Sequence, residues 1–163
     1  METVRDRNAR LAEHLEGISR RGIEAVNNRQ WNHLADPWIH YSRGHIYDPQ
    51  WRNDLRATMQ GQEHDGSERE PLQPTGHNFV DFERSIVQIS PEFHVHILNV
   101  DTTVLDEEAE HATVMVEAEE TGVPPGVTRP CMAALNFRKL DGKWLCTMLR
   151  SVAGVDLSSS SGG

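Results

Sequence analysis

No run of apolar residues in this chain approaches the roughly 20 needed to cross a bilayer as a helix, so no membrane span is read from it. Basic residues are scarce: 16 Lys and Arg stand against 25 Asp and Glu, a formal charge of −9. That balance argues against a general binder of nucleic acid or anionic membrane. Cysteine is scarcer still, with only Cys131 and Cys146. Both are read as reduced core residues of a cytoplasmic protein rather than a disulfide or a nucleophile. The first residues, METVRDRNAR, are charged and polar and carry no apolar signal-peptide core, in keeping with that location. There is no glycine-rich phosphate loop, no GxGxxG and no serine elbow. Nor is there a repeat of solenoid period. What remains is one domain: 163 residues are enough for a proper core.

The most informative stretch runs from Arg129 to Ala153, RPCMAALNFRKLDGKWLCTMLRSVA. Two apolar runs flank Asp141-Gly142, a strong hairpin signal. Ala133, Leu135 and Phe137 would share one face, Met132 and Ala134 the other. A strand apolar on both faces is covered on both. One side should meet the domain's own helices, the other a further layer or subunit. With a simple two-residue turn, Phe137 pairs with Cys146, Leu135 with Met148 and Ala133 with Arg150. Arg150 then ends a row of apolar side chains, where a guanidinium needs a partner or a ligand.

Residues 3–28 read as an amphipathic helix, with Val4, Leu11, Leu15, Ile18, Gly22, Ala25 and Val26 at helical spacing. Gly17 and Gly22 either weaken it or admit another element closely. A short helix at Trp31–Leu34, stopped by Pro37, and a first strand at Trp38–Ser42 should follow. Residues 44–76 read as a long loop, lid or mobile surface, with one helical piece at Trp51–Met59. Asn78–Ile89 places Phe79, Phe82, Ile86 and Ile89 on one stripe. Strands follow at Phe93–Val104 and Ala112–Thr121, then a Pro/Gly loop at Gly122–Val127, then the hairpin. Helices first and strands last mean an α+β domain over residues 1–157. The Ser/Gly tail 158–163 is expected to be disordered.

The order of elements resembles the nuclear-transport-factor-two-like superfamily, in particular its SnoaL-like branch of polyketide cyclases. The likeness runs over roughly residues 8–154. It is carried by NNRQWNHLADPWIHY, FVDFERSIVQISPEFHVHILNV, ATVMVEAEETGVPPGVTRP and, most tellingly, FRKLDGKW followed by about ten strand residues. The resemblance implies a cone: a curved antiparallel sheet, helices packed over it, and an apolar cavity inside. It implies dimerisation through the outer sheet face and chemistry without metal or organic cofactor. It implies cyclase or isomerase activity on a small apolar polycyclic intermediate of secondary metabolism. Scytalone-dehydratase-like lyases share the fold, as do proteins without turnover. The chain departs from the branch in one place. The aspartate base expected near the end of the last strand falls at about Val152, and Asp156 lies beyond Gly154.

Acid–base work in an apolar cavity needs an acid and a base with shifted pKa values. Arg150 is the expected polariser of a carbonyl or enolate oxygen. Glu119 is the expected proton carrier, although Glu117 and Glu119 also read as a solvated strand end. Tyr41 could donate to a substrate oxygen or be an ordinary core tyrosine. His45 and Asp48, beside Tyr47, form a possible acid–base pair at the pocket rim, or plain loop polarity. Trp38, Phe79, Phe137 and Met148 are expected to contact the substrate. His77 reads as a helix cap. His94 and His96 share a strand face as metal ligands would, yet no carboxylate follows at short spacing, so no metal site is expected. A register slip of one residue would exchange Cys146 and Arg150 for Asn136 and Thr147 inside the cavity.

Overall fold

The computed structural model describes residues 1–42 and 79–153. The expected loop at 44–76, with its helical piece at Trp51–Met59, lies outside these residues, as does the tail at 158–163. Helix α1 spans Val4–Asn27. Thr3 starts it: its hydroxyl accepts from the Asp6 N–H at 3.0 Å, and its own N–H donates back to the Asp6 carboxylate at 3.3 Å. This reciprocal cap satisfies two backbone donors that the helix cannot. Leu15, Ile18, Ser19, Gly22, Ala25 and Val26 form the buried stripe, three and four residues apart. At the exit Arg29 takes a left-handed φ of 58°. Its guanidinium donates to the carbonyl oxygens of Val26, Pro91 and Phe93 at 2.9, 2.9 and 2.7 Å.

Beyond α1 the chain departs from expectation. No helix forms at Trp31–Leu34, because the Asn32 carboxamide oxygen accepts from the Leu34 N–H at 3.0 Å and closes a local turn instead. The expected strand at Trp38–Ser42 begins as a single 3₁₀ turn, Trp38–His40. It is closed by His40 N–H to Pro37 O at 3.0 Å and Tyr41 N–H to Trp38 O at 3.1 Å. Only at its end does the chain reach the sheet, as one parallel bridge between Tyr41 and Cys146.

Helix α2 spans Phe79–Ile89. Strands β1 (His94–Asp106), β2 (His111–Thr121), β3 (Thr128–Leu140) and β4 (Lys143–Ala153) form an antiparallel meander in sequence order. This is the expected α+β architecture: helices first, then a curved open sheet. Asp141 and Gly142 both have positive φ, 50° and 79°, the twist-matched geometry of a two-residue hairpin turn. On β2 the inward row is Ala112, Val114, Val116, Ala118 and Glu120, all buried. On β3 it includes Cys131, Leu135 and Phe137. Two bulges in β1, at Leu98 and Thr103, break the simple alternation and curve the strand. Val95 and Ile97 therefore share the core with Val100, whereas His94 and His96 stay exposed.

The decisive irregularity is in β4. Phe137 pairs with Cys146 as expected, but Asn136 pairs with Met148, which leaves Thr147 as an extra residue. From there on the register differs from that of an unbroken ladder: Leu135 faces Leu149, Ala134 faces Arg150 and Ala133 faces Ser151. Every side chain beyond the bulge changes face.

Helix and sheet are tied by side chains that imitate strand pairing. Asn27 donates to Val95 O at 2.8 Å and accepts from Val95 N–H at 2.9 Å. Farther along, Glu16 accepts from the Thr102 hydroxyl at 2.6 Å and its N–H at 3.2 Å.

Candidate active site

A cavity of about 90 Å³ lies between α1, α2 and the concave face of the sheet. Its wall is apolar: Ile23 and Val26 from α1, Ile86 from α2, Val116 and Ala118 from β2, Leu135 from β3 and Leu149 from β4 contribute. The chain is poor in aromatic residues, yet Trp38, Tyr41, Phe79 and Phe93 all line this one space. Trp38 and Tyr41 lie tilted with ring centroids 5.2 Å apart, and Tyr41 meets Phe79 edge-on at 5.1 Å. Trp38 is fixed by its indole N–H, which donates to Gln30 O at 2.7 Å.

Two carboxyl groups enter this apolar space, Glu83 from α2 and Glu120 from β2. They differ in what they touch. Glu120 pairs across the ladder with Arg129. The Arg129 Nε–H donates to Glu120 Oε1 at 3.1 Å. Nη2 lies 3.1 Å from the same oxygen but off the hydrogen-bond axis. The pair therefore comprises one good hydrogen bond and a close charge contact. Burial raises the Glu120 pKa, and the Arg129 charge and hydrogen bond oppose that rise.

Glu83 has no hydrogen-bond or ion-pair partner among the described residues. Part of its surface opens on the cavity, and the rest is packed in protein. Burial, with the neighbouring Glu120 carboxylate second, lifts its pKa to about 7. A carboxyl group so placed exists in both protonation states near neutrality, as a general acid or base must.

Tyr41 reaches the cavity wall, but its hydroxyl donates to Ile18 O at 3.1 Å. Burial, the largest effect, holds its pKa well above that of a free tyrosine. The thiols behave similarly. Burial raises Cys131 to about 12 and pushes Cys146 up as well. Both are free and buried, so neither is a nucleophile near neutral pH.

The remaining sequence expectations divide in a simple way. Trp38, Tyr41 and Phe79 line the cavity. Phe137 is fully buried in the core but is not part of the cavity wall. Arg150 was expected at the end of the inward row; the extra residue in β4 turns it to the outer face, where it is exposed. The same bulge puts Met148 opposite Asn136, away from the cavity, and brings Leu149 and Ser151 into the wall. Glu119 is exposed, and its neighbour Glu120 points inward. His45, Asp48 and His77 lie outside the described residues. No group of three or more His, Cys, Asp or Glu among the described residues could hold a metal ion.

Sequence reasoning missed Glu83 and Glu120, though each left a signal. Glu83 lies four residues after Phe79 and three before Ile86, on the apolar stripe of α2. Glu120 continues the row Val114, Val116, Ala118 at strand period.

No protein-family profile and no curated protein sequence matches the chain. Solved structures do. An NTF2-like protein of unknown function from Pseudomonas putida KT2440 superposes with a TM-score of 0.53 at 12% identity. The match covers 94% of this chain and 93% of that one. A protein provisionally named an aromatic ring hydroxylase, from Novosphingobium aromaticivorans, gives 0.52 at 11% identity, over 96% and 94% of the two chains. The association domain of C. elegans CaMKII gives 0.45 at 13%, over 90% and 98%. The chain thus has the NTF2-like α+β fold. Among its described residues no helix is long and apolar enough to cross a membrane.

Proposed function

We propose that the protein is a cofactor-independent isomerase or cyclase that moves a proton on a small, largely apolar substrate of secondary metabolism. One observation carries the reading: a carboxyl group without a partner among the described residues, Glu83, opens on an apolar cavity beside the ion-paired Glu120. Glu83 is the proton carrier. Its pKa near 7 lets it take a proton from one position and return it at another without a large mismatch in driving force. Glu120, paired with Arg129, stands nearby, and its carboxylate raises the proton affinity of Glu83. Trp38, Tyr41 and Phe79 orient the ring system of the substrate.

The proton-carrying role first expected of Glu119 passes to Glu83, which lines the cavity; the polarising role first expected of Arg150 has no place in this reading, since Arg150 stands on the outer face. The outer sheet face, with Met132, Ala134 and Met148 half-buried, is proposed as the seam of a homodimer. A cytoplasmic location is proposed with it, since both cysteines are free. A non-catalytic binder of the same fold would share the apolar wall but would not need a titrating carboxyl group inside it.

The test is deuterium uptake. Small cyclic ketones and imines are incubated with the protein in D₂O and their acidic C–H positions followed by NMR. Exchange with the wild type that disappears in Glu83→Gln supports the reading. Wild-type protein that exchanges nothing, or Glu83→Gln that exchanges as fast, overturns it.

A further inference from the structure

The charged groups of the cavity are of one kind. Glu83 and Glu120 are carboxyl groups, and Glu83 has no partner among the described residues. Glu120 receives both Arg129 contacts on Oε1, and its Oε2 has no partner among those residues. Two hydroxyl groups also reach this wall: that of Tyr41 is spent on Ile18 O, and Ser151 has a partner of its own. Around these acceptors stand the rings of Trp38, Tyr41, Phe79 and Phe93. Aromatic faces attract cations, and desolvation strengthens that attraction. A cavity with acceptors and ring faces, but no free cation of its own among the described residues, suits a guest that brings the positive charge.

We infer that the ligand of this cavity is a cyclic or aromatic molecule bearing one protonated or iminium nitrogen, which seats between the Glu83 and Glu120 carboxylates. This rests on the reading that the cavity is the substrate site. The ring body replaces water against Ile23, Val26, Ile86 and Leu149. The nitrogen supplies the opposite charge that Glu83 lacks among the described residues and answers Glu120 on the side away from Arg129. Neutral carbonyl compounds would find the acidic donor, protonated Glu83, only part of the time. Anions would meet two carboxyl groups and be rejected.

Proton linkage follows. The groups that act electrostatically on this corner are Glu83, Glu120, Arg129, Cys131 and Tyr41, with Cys146, Arg21 and Asp36 also acting on Tyr41. The thiols and the phenol stay neutral near pH 7; burial raises both carboxyl groups, Arg129 opposes the rise at Glu120, and Glu83, at about 7, is the group poised to respond. A cation entering beside it favours its ionised form, and the complex releases a proton from Glu83 at about neutral pH.

The experiment is isothermal titration of the full chain with three near-isosteric probes: 2-aminoindane, 2-indanol and indane-2-carboxylate. At about pH 8 the amine should bind at least about tenfold more tightly than the alcohol, and the carboxylate least. The advantage should shrink toward about pH 5.5, where Glu83 is protonated. Glu83→Gln should remove most of it. Titrations at about pH 7 in two buffers of different ionisation enthalpy should show net proton release on amine binding. This last measurement needs no variant. The inference is overturned if the alcohol or carboxylate binds as well as the amine, or if none binds. It is equally overturned if no proton is released or if the preference survives in Glu83→Gln. Deuterium exchange on neutral ketones with no amine preference would sink this inference and leave the proton-transfer reading standing. An amine preference without any exchange would do the reverse.

Discussion

The hydroxyl of Tyr41 occupies the space that a side chain on Gly22 would need. A Cβ built on Gly22 would lie 2.8 Å from the Tyr41 Cζ and closer still to the oxygen. The missing side chain lets the 3₁₀ turn dock on α1, the tyrosine reach Ile18 O, and Trp38 and Tyr41 wall the cavity. Replacing Gly22 with Ala should gain up to about 1 kcal/mol of helix propensity. Overpacking against a buried ring costs about 1–3 kcal/mol. The second effect should win, so Gly22→Ala lowers the denaturation midpoint. In the Gly22→Ala, Tyr41→Phe double variant the loss should be smaller than the sum of the single losses. Strict additivity in that cycle would mean that the two residues do not compete for space.

The Glu120–Arg129 pair predicts an asymmetric response to pH. Arg129→Met leaves a carboxylate in a site where it is 8% exposed. Breaking a buried pair from one side costs about 3–5 kcal/mol. Without Arg129 the folded-state pKa of Glu120 rises further above its unfolded value. Protonated Glu120 carries no such penalty, so the cost is greatest above the folded pKa and fades as pH falls toward about 4.5. Urea titrations of wild type and Arg129→Met at about pH 8 and pH 5 should show a large gap closing to a small one. A gap independent of pH would mean that Arg129 acts by packing alone.

The sequence foretold the architecture because each element carried its own period. The α1 stripe repeats at three and four residues, the β2 row at two, and Asp141-Gly142 marks the hairpin. The candidate site was harder, for two physical reasons. The bulge at Thr147 in β4 has no obvious residue signature, yet it exchanges the faces of everything after it, Arg150 included. The short polar residues around the 3₁₀ turn also defeated propensity. Asn32 closed a local turn where a helix was expected, and Pro37 led into a turn where a strand was expected. Glu83 was obscured for a different reason: a glutamate on an amphipathic helix is usually read as solvent-facing, and only its position between Phe79 and Ile86 indicates otherwise.

Arg150 supplies the control for that register. It is exposed on the outer face of β4, opposite Ala134. Any ion pair it makes there is worth about 1 kcal/mol or less. Arg150→Ala should therefore change stability by less than that and leave the affinity of 2-aminoindane unaltered. If the outer face is a dimer seam, the change should appear in the monomer–dimer balance seen by sedimentation. Lost ligand affinity in a well-folded Arg150→Ala protein would return the guanidinium to the cavity and contradict the bulge.

Glu83 makes the sharpest prediction, because its proposed function and its contribution to stability oppose each other. Its pKa is about 7 in the folded protein and about 4.5 unfolded. Between those values the folded state binds more protons than the unfolded state, so stability falls as pH rises through that window. Above about pH 7 the penalty is complete. A shift of this size corresponds to about 3 kcal/mol at most, and partial access to solvent through the cavity brings it to about 1–3 kcal/mol. Glu83→Gln keeps the shape and cannot ionise. At about pH 8 it should be more stable than wild type by about 1–3 kcal/mol; near pH 4.5 the two should coincide. A catalytic carboxyl group held where the fold disfavours its charge gives this signature, stability gained as activity is lost. A structural carboxylate would give the opposite, a variant weakened most at high pH. Chemical denaturation at those two pH values, with deuterium exchange on the same samples, separates the two.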